Sequence, residues 1–129
     1  VAAFFTDSYQ GMVGINEPDP HSTLHSDGSL ALPIVDEMDA DYELGEYDYT
    51  VVVPDDDYNV KLPQPDNIEG RIYVIKNKHD SGGSITLYCD YAGEYIDGTA
   101  GTTGISIAQG ECVMVQSNGD DTWYILPVK

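Results

Sequence analysis

Positive charge is what this 129-residue chain has least of. Five Lys and Arg stand against 23 Asp and Glu, for a formal net charge of -18. A nucleic-acid groove needs basic side chains that displace counterions from phosphate, so that class of partner is excluded. The same sign argues against anionic membrane surfaces. No apolar run approaches the roughly 20 residues of a membrane-spanning helix. Apolar residues still make up 41% of the chain, too many for a disordered acidic tail. Ala2 to Phe5 is too short for a signal-peptide core, so no targeting segment is expected, and a chain opening on Val1 reads as processed or truncated.

Cysteine is nearly as scarce. Cys89 and Cys112 are too few for a disulfide scaffold or a zinc-ligand pattern. Each lies in an apolar, strand-like stretch, YCDY and ECVMV, and both are expected to be buried free thiols. A bridge would require neighbouring strands. Helical periodicity is missing as well. Strand signals recur instead, at 11–15, 29–35, 49–53, 59–62, 71–77, 84–89, 105–107, 112–116 and 122–126. Nine short strands separated by turn residues predict an all-β protein, a small antiparallel sandwich or barrel-like domain. In 29–35, Leu30, Leu32 and Ile34 should share one face. Asp27-Gly28, Asp97-Gly98 and Asn118-Gly119 are dipeptides suited to tight turns, and Gly82-Gly83 marks another.

Length predicts one domain over 1–129. Charge divides it: the first 60 residues hold 14 of the acids and no Lys or Arg. This suggests an acidic subregion over 1–65 and a β subregion over 66–129. Several strands are apolar on both faces. In YTVVV, Val51 and Val53 oppose Val52; in RIYVI, Ile72 and Val74 oppose Tyr73 and Ile75. Such strands call for a second covering surface, from layered sheets or from other subunits.

Catalytic patterns are weak, and no catalytic residue, metal or cofactor is expected. His21 and His25 are four apart, but Pro18 and Pro20 disfavour a helix there, and no third ligand follows. There is no G-x-S-x-G elbow, and the GTTG at 101–104 lacks the lysine of a phosphate loop. Asp39, Asp41 and Glu43 alternate like calcium ligands, yet Leu44 and Thr50 occupy the Gly and Glu positions of an EF-hand loop. A looser calcium site in Asp36 to Glu46, or at Asp55 to Asp57, competes with a simple solvated loop. Trp123, the single tryptophan, reads as a core anchor of the last strand rather than a sugar platform.

Several segments resemble a known family. Val13 to Leu32, VGINEPDPHSTLHSDGSLAL, resembles the VGIGT-x-x-P-x-x-x-LHV-x-GS element of phage tail-fibre, spike and adhesin-like proteins, many from viruses of Bacteroidetes hosts. NIEGRIYVIKN, ITLYCDYAGEYIDG and GECVMVQSNGDDTWYIL resemble later segments of the same proteins, so the likeness runs from about Gly11 to Leu126. Asn16, Ser26 and Asn118 depart from the pattern. The resemblance implies a virion-surface protein, a homotrimer joined to other virion proteins, that attaches to a host glycan or protein receptor and is not an enzyme. The alternatives are a monomeric carbohydrate-binding β-sandwich of a bacterial surface and a purely structural fibre segment. In Ser84 to Tyr91, alternation turns Ile85, Leu87, Cys89 and Tyr91 inward and leaves Tyr88 and Asp90 outward. Glu94 and Tyr95 follow in the next connection. An aromatic ring beside a carboxylate suits a sugar. Tyr88, Asp90, Glu94 and Tyr95 are therefore the expected receptor contacts.

Overall fold

The computed structural model describes residues 4–7, 11–55 and 57–126. Among them the protein is all-β, with strands and no helix. It separates into two compact units, Val1–Leu32 and Pro33–Lys129, so the break falls at residue 32 rather than near 65.

The first unit is a three-stranded sheet of β1 (Phe4–Asp7), β2 (Met12–Ile15) and β3 (Leu24–Ser26). β1 runs antiparallel to β2, and β2 runs parallel to β3. A side chain at Gly14 would put Cβ 1.9 Å from the Glu17 carbonyl oxygen, so only glycine fits there. Asn16 takes a φ of 58°, in the left-handed region that glycine and asparagine tolerate best. Asparagine is therefore at little cost there. Ser26 pairs with Ile15 between β3 and β2.

The second unit is a two-layer sandwich. In chain order its strands are β4 (Ile34–Val35), β5 (Tyr42–Glu43), β6 (Thr50–Val53), β7 (Val60–Lys61), β8 (Ile72–Asn77), β9 (Ile85–Tyr88), β10 (Tyr95–Ile96), β11 (Thr99–Ala100), β12 (Ile105–Ile107), β13 (Cys112–Ser117) and β14 (Thr122–Ile125). One sheet has the order β11-β10-β14-β13-β8-β6-β4, the other β12-β9-β7-β5. From β4 to β9 the chain alternates between layers. Strands of the same layer are then parallel: β4, β6 and β8 in one, β5, β7 and β9 in the other. The chain thus makes three successive coils. β12 and β13 return antiparallel to β9 and β8. The antiparallel expectation is corrected to a mixed sandwich, because a chain that changes layer at every strand brings its next same-layer strand back in the same direction. The coils also erase the charge boundary: β6 pairs with β8 and β7 with β9 across residue 65.

Alternation decides the core. Val51 and Val53, Tyr73 and Ile75, Val115 and Trp123 point inward from the large sheet and are buried. Val60, Leu62, Ile85, Leu87 and Ile107 meet them from the small one. Trp123 is fully buried, as an anchor should be; its Nε1 donates to the Pro63 carbonyl at 3.1 Å, and its ring lies 5.4 Å from that of Tyr73. Two buried polar side chains are satisfied. Asn77 Nδ2 donates to the carbonyls of Gly83 and Ile107, each at 3.0 Å, and Ser117 Oγ donates to the Pro65 carbonyl at 2.7 Å.

Three expectations are corrected. Residues 29–33 form no strand, since Pro33 lacks the donor a ladder requires; Leu30 is 73% exposed. Asp97-Gly98 does form a two-residue turn, with φ of 48° and 88°. Asn118-Gly119 instead opens a longer loop, in which Asn118 Oδ1 accepts from the backbone N–H groups of Asp120 and Thr122. The thiols differ: Cys89, just past β9, is buried, Cys112 in β13 is exposed, and both are free.

Trp123→Ala should destabilise the second unit by about 3–5 kcal/mol, as buried aromatic truncations do. Asn77→Ala should cost about 1–3 kcal/mol by leaving buried carbonyls without a donor. Urea unfolding monitored by far-UV circular dichroism measures both.

Candidate functional site

The outer face of the small sheet is polar. Glu43, Lys61 and Tyr88 form one row across β5, β7 and β9. The Lys61 ammonium lies 3.4 Å from Asp90 and 3.6 Å from Glu43, and 5.3 Å from the centroid of the Tyr91 ring. Burial alone would lower its pKa, but the hydrogen bond to Asp90 and the charge of Glu43 reverse this, and the pKa is raised. Lys61 is therefore a fixed cation held between two carboxylates. With Asp41, Tyr42, Tyr88 and Asp90 it lines a groove of about 280 Å³.

The four expected contact residues do not form one patch. Tyr88 and Asp90 face outward from the small sheet and share this groove, as alternation predicts. Tyr95 is exposed on β10 in the other layer, paired with Thr122 while its neighbour Ile96 points into the core. Tyr91, expected inward, is half-buried beside Lys61. Glu94 turns toward Cys89, and its Oε2 is buried with no hydrogen-bond partner among the described residues. The connection between β9 and β10 crosses from one layer to the other, which separates residues that lie close in sequence.

Around Glu94 the packing is tight. The Cys89 N–H donates to the Gly101 carbonyl and the Gly101 N–H to the Glu94 carbonyl, at 3.1 and 2.8 Å. A Cβ at Gly101 would lie 2.0 Å from Cys89 Sγ. Burial, with the charges of Asp66 and Asp121, raises the Glu94 pKa, while the Cys89 thiol pulls it down. Burial and Glu94 together push the Cys89 thiol up to about 11. A thiol so placed stays protonated and is a poor nucleophile.

A second groove, of about 300 Å³, is lined by Gly45, Glu46, Pro63, Gln64, Ile68, Arg71, Tyr73 and Tyr91. Arg71 is the chain's single arginine. Its Nη1 donates to the Tyr73 hydroxyl at 3.2 Å, and that hydroxyl donates to the Gly45 carbonyl at 2.8 Å. Sequence reasoning passed over this groove. The one available signal was the rarity of arginine in so acidic a chain.

Among the described residues no three His, Cys, Asp or Glu side chains gather to hold a metal ion. His21 and His25 contact each other edge to face, 5.7 Å between ring centroids. Asp41 accepts from the Asn59 N–H, and Asp55 from the Asp57 N–H. Asp56, the middle residue of the looser calcium candidate, lies outside the described residues. Compared with protein-family models, curated proteins and solved structures, the chain matches none.

A carboxyl whose pKa is raised on folding keeps its proton in the folded state over a window in which the unfolded chain has lost it. Stability therefore falls as pH rises from the ordinary glutamate value through the raised one. Glu94→Gln should flatten this dependence and leave the variant more stable than wild type at pH 7, with little difference at pH 4. Urea midpoints at the two pH values test the sign.

Proposed function

We propose that the chain is a structural and attachment module of a phage spike or tail fibre, displayed on the virion surface as a homotrimer and touching a host glycan. The observation that carries this reading is the contrast between the two outer faces of the sandwich. On the large sheet Ile34, Thr50, Val74 and Met114 form one row, flanked by Val52, Ile72 and Tyr124, with Lys76 and Gln116 as the polar members of the flanking rows. Ile34 is 61% and Tyr124 50% exposed, and Val52, Ile72, Val74 and Met114 are half-buried. The small sheet turns Glu43, Lys61, Thr86, Tyr88 and Ser106 outward instead.

An apolar face suits association with copies of the same chain, and a polar one suits solvent and receptor. Burial contributes about 25 cal/mol per Å² of apolar surface. Three chains of charge -18 repel one another, so assembly should strengthen as salt screens them. Parallel coils fit a fibre because each coil buries its faces against the next. The motif resemblance between Gly11 and Leu126 adds the viral setting and the attachment to other virion proteins.

Light scattering at physiological salt should give the mass of three chains. Val74→Asp/Met114→Asp should give one chain with its strand content intact. A wild-type monomer at high protein concentration would favour the monomeric carbohydrate-binding sandwich instead.

A further inference from the structure

We propose that the groove around Arg71 is a binding site for a carboxylate-bearing sugar, a uronic or nonulosonic acid residue of a surface glycan. The proposal supplies a ligand class for the attachment reading and rests on it only for the setting.

Three connections build the groove, each returning the chain from the small sheet to the large one. Gly45 and Glu46 lie between β5 and β6, Pro63 to Arg71 between β7 and β8, and Tyr91 between β9 and β10. Parallel coiling stacks these connections at one end of the sandwich. It thereby joins residues 46 positions apart into a single recess.

Within the recess Arg71 is chemically out of place. The chain carries 23 acids, yet both ion pairs among the described residues belong to Lys61. The guanidinium has five N–H donors in a planar fork. Its hydrogen bond within the protein goes to a neutral hydroxyl, which is itself held by the Gly45 carbonyl. Tyr73 is fixed from behind by Trp123, so the fork is braced from the core outward. A half-buried guanidinium with no ion pair among the described residues is a preorganised receptor for a carboxylate, because paired N–H donors match the two oxygens.

The rest of the lining selects for a sugar. Tyr91, Pro63 and Ile68 offer apolar surface to ring C–H groups, while Gln64 and Glu46 offer donor and acceptor atoms to hydroxyls. One cation beside Glu46, on a chain of charge -18, favours a monoanion over a doubly charged phosphate. The repulsion of the distant acids is screened beyond about 8 Å at physiological salt, whereas contact with Arg71 is direct.

The test is titration calorimetry of the full chain with trigalacturonic acid, an alginate trimer and a sialyl-lactose, alongside the methyl ester of each acid. Because Trp123 packs on Tyr73, tryptophan fluorescence gives a second readout. At least one acid should bind, its ester at least 10-fold more weakly. Arg71→Gln should lose the same factor. Arg71→Lys should recover little of it, since a point charge does not replace the fork. Unchanged melting curves must accompany both variants; if Arg71→Gln melts early, the acid-against-ester ratio in wild type decides. Equal affinity for acid and ester, no binding of any acid at millimolar concentration, or preference for an acidic tripeptide over every sugar would overturn the proposal. Acid binding by a protein that scatters as a monomer would uphold the site and remove the trimer.

Discussion

The second unit depends on hydrogen bonds from buried side chains of the large sheet that tie its two layers together. Trp123 sends its one donor to the Pro63 carbonyl and lays its ring against Tyr73. Asn77 joins the end of β8 to the Ile107 carbonyl of the other layer, and Ser117 reaches the Pro65 carbonyl. Each partner is a backbone oxygen in or beside a crossover. A buried polar group without a partner costs more than a made bond gains, so these links fix where the chain may change layer. The prolines contribute by what they lack: a proline carbonyl accepts without adding an N–H donor to be satisfied.

The crossover positions set the surface. Because the chain changes layer after every strand from β4 to β9, its connections stack at the ends of the sandwich, and the Arg71 groove forms there. Lys61 and Arg71 then have different roles despite equal charge. Lys61 sits in the middle of the small sheet between carboxylates from β5 and from the residues just past β9, and its charge is spent locally. Arg71 lies in a connection, braced by a neutral hydroxyl and without an ion pair among the described residues.

Much of this organisation was legible in the sequence. All nine expected strand segments contain strands, 29–35 only at its last two residues, because alternation of Val, Ile and Tyr is a direct record of a two-faced surface. The outward turn of Tyr88 and Asp90 and the burial of Trp123 follow from the same periodicity. Two-residue strands such as Tyr42–Glu43 and Tyr95–Ile96 could not be read, since two residues carry no period and are strands only through their partners. Parallel pairing was hidden for the same reason: direction depends on which layer the intervening strand joins. Grouping Glu94 and Tyr95 with Tyr88 failed because closeness along the chain does not survive a change of layer. The break at residue 32 was masked by a charge gradient that belongs to the surface rather than to the folding units.

On the reading proposed above, other copies of the chain cover the outer face of the large sheet. Cys112 reports on it directly, since it pairs with Lys76 on that face, in the row next to Val74 and Met114, while Cys89 is buried and protonated. The rate at which a thiol reagent labels Cys112 in the folded protein should fall as protein concentration rises through assembly, and stay high in Val74→Asp/Met114→Asp. A rate independent of concentration and equal in the two proteins would mean that no other copy covers this face.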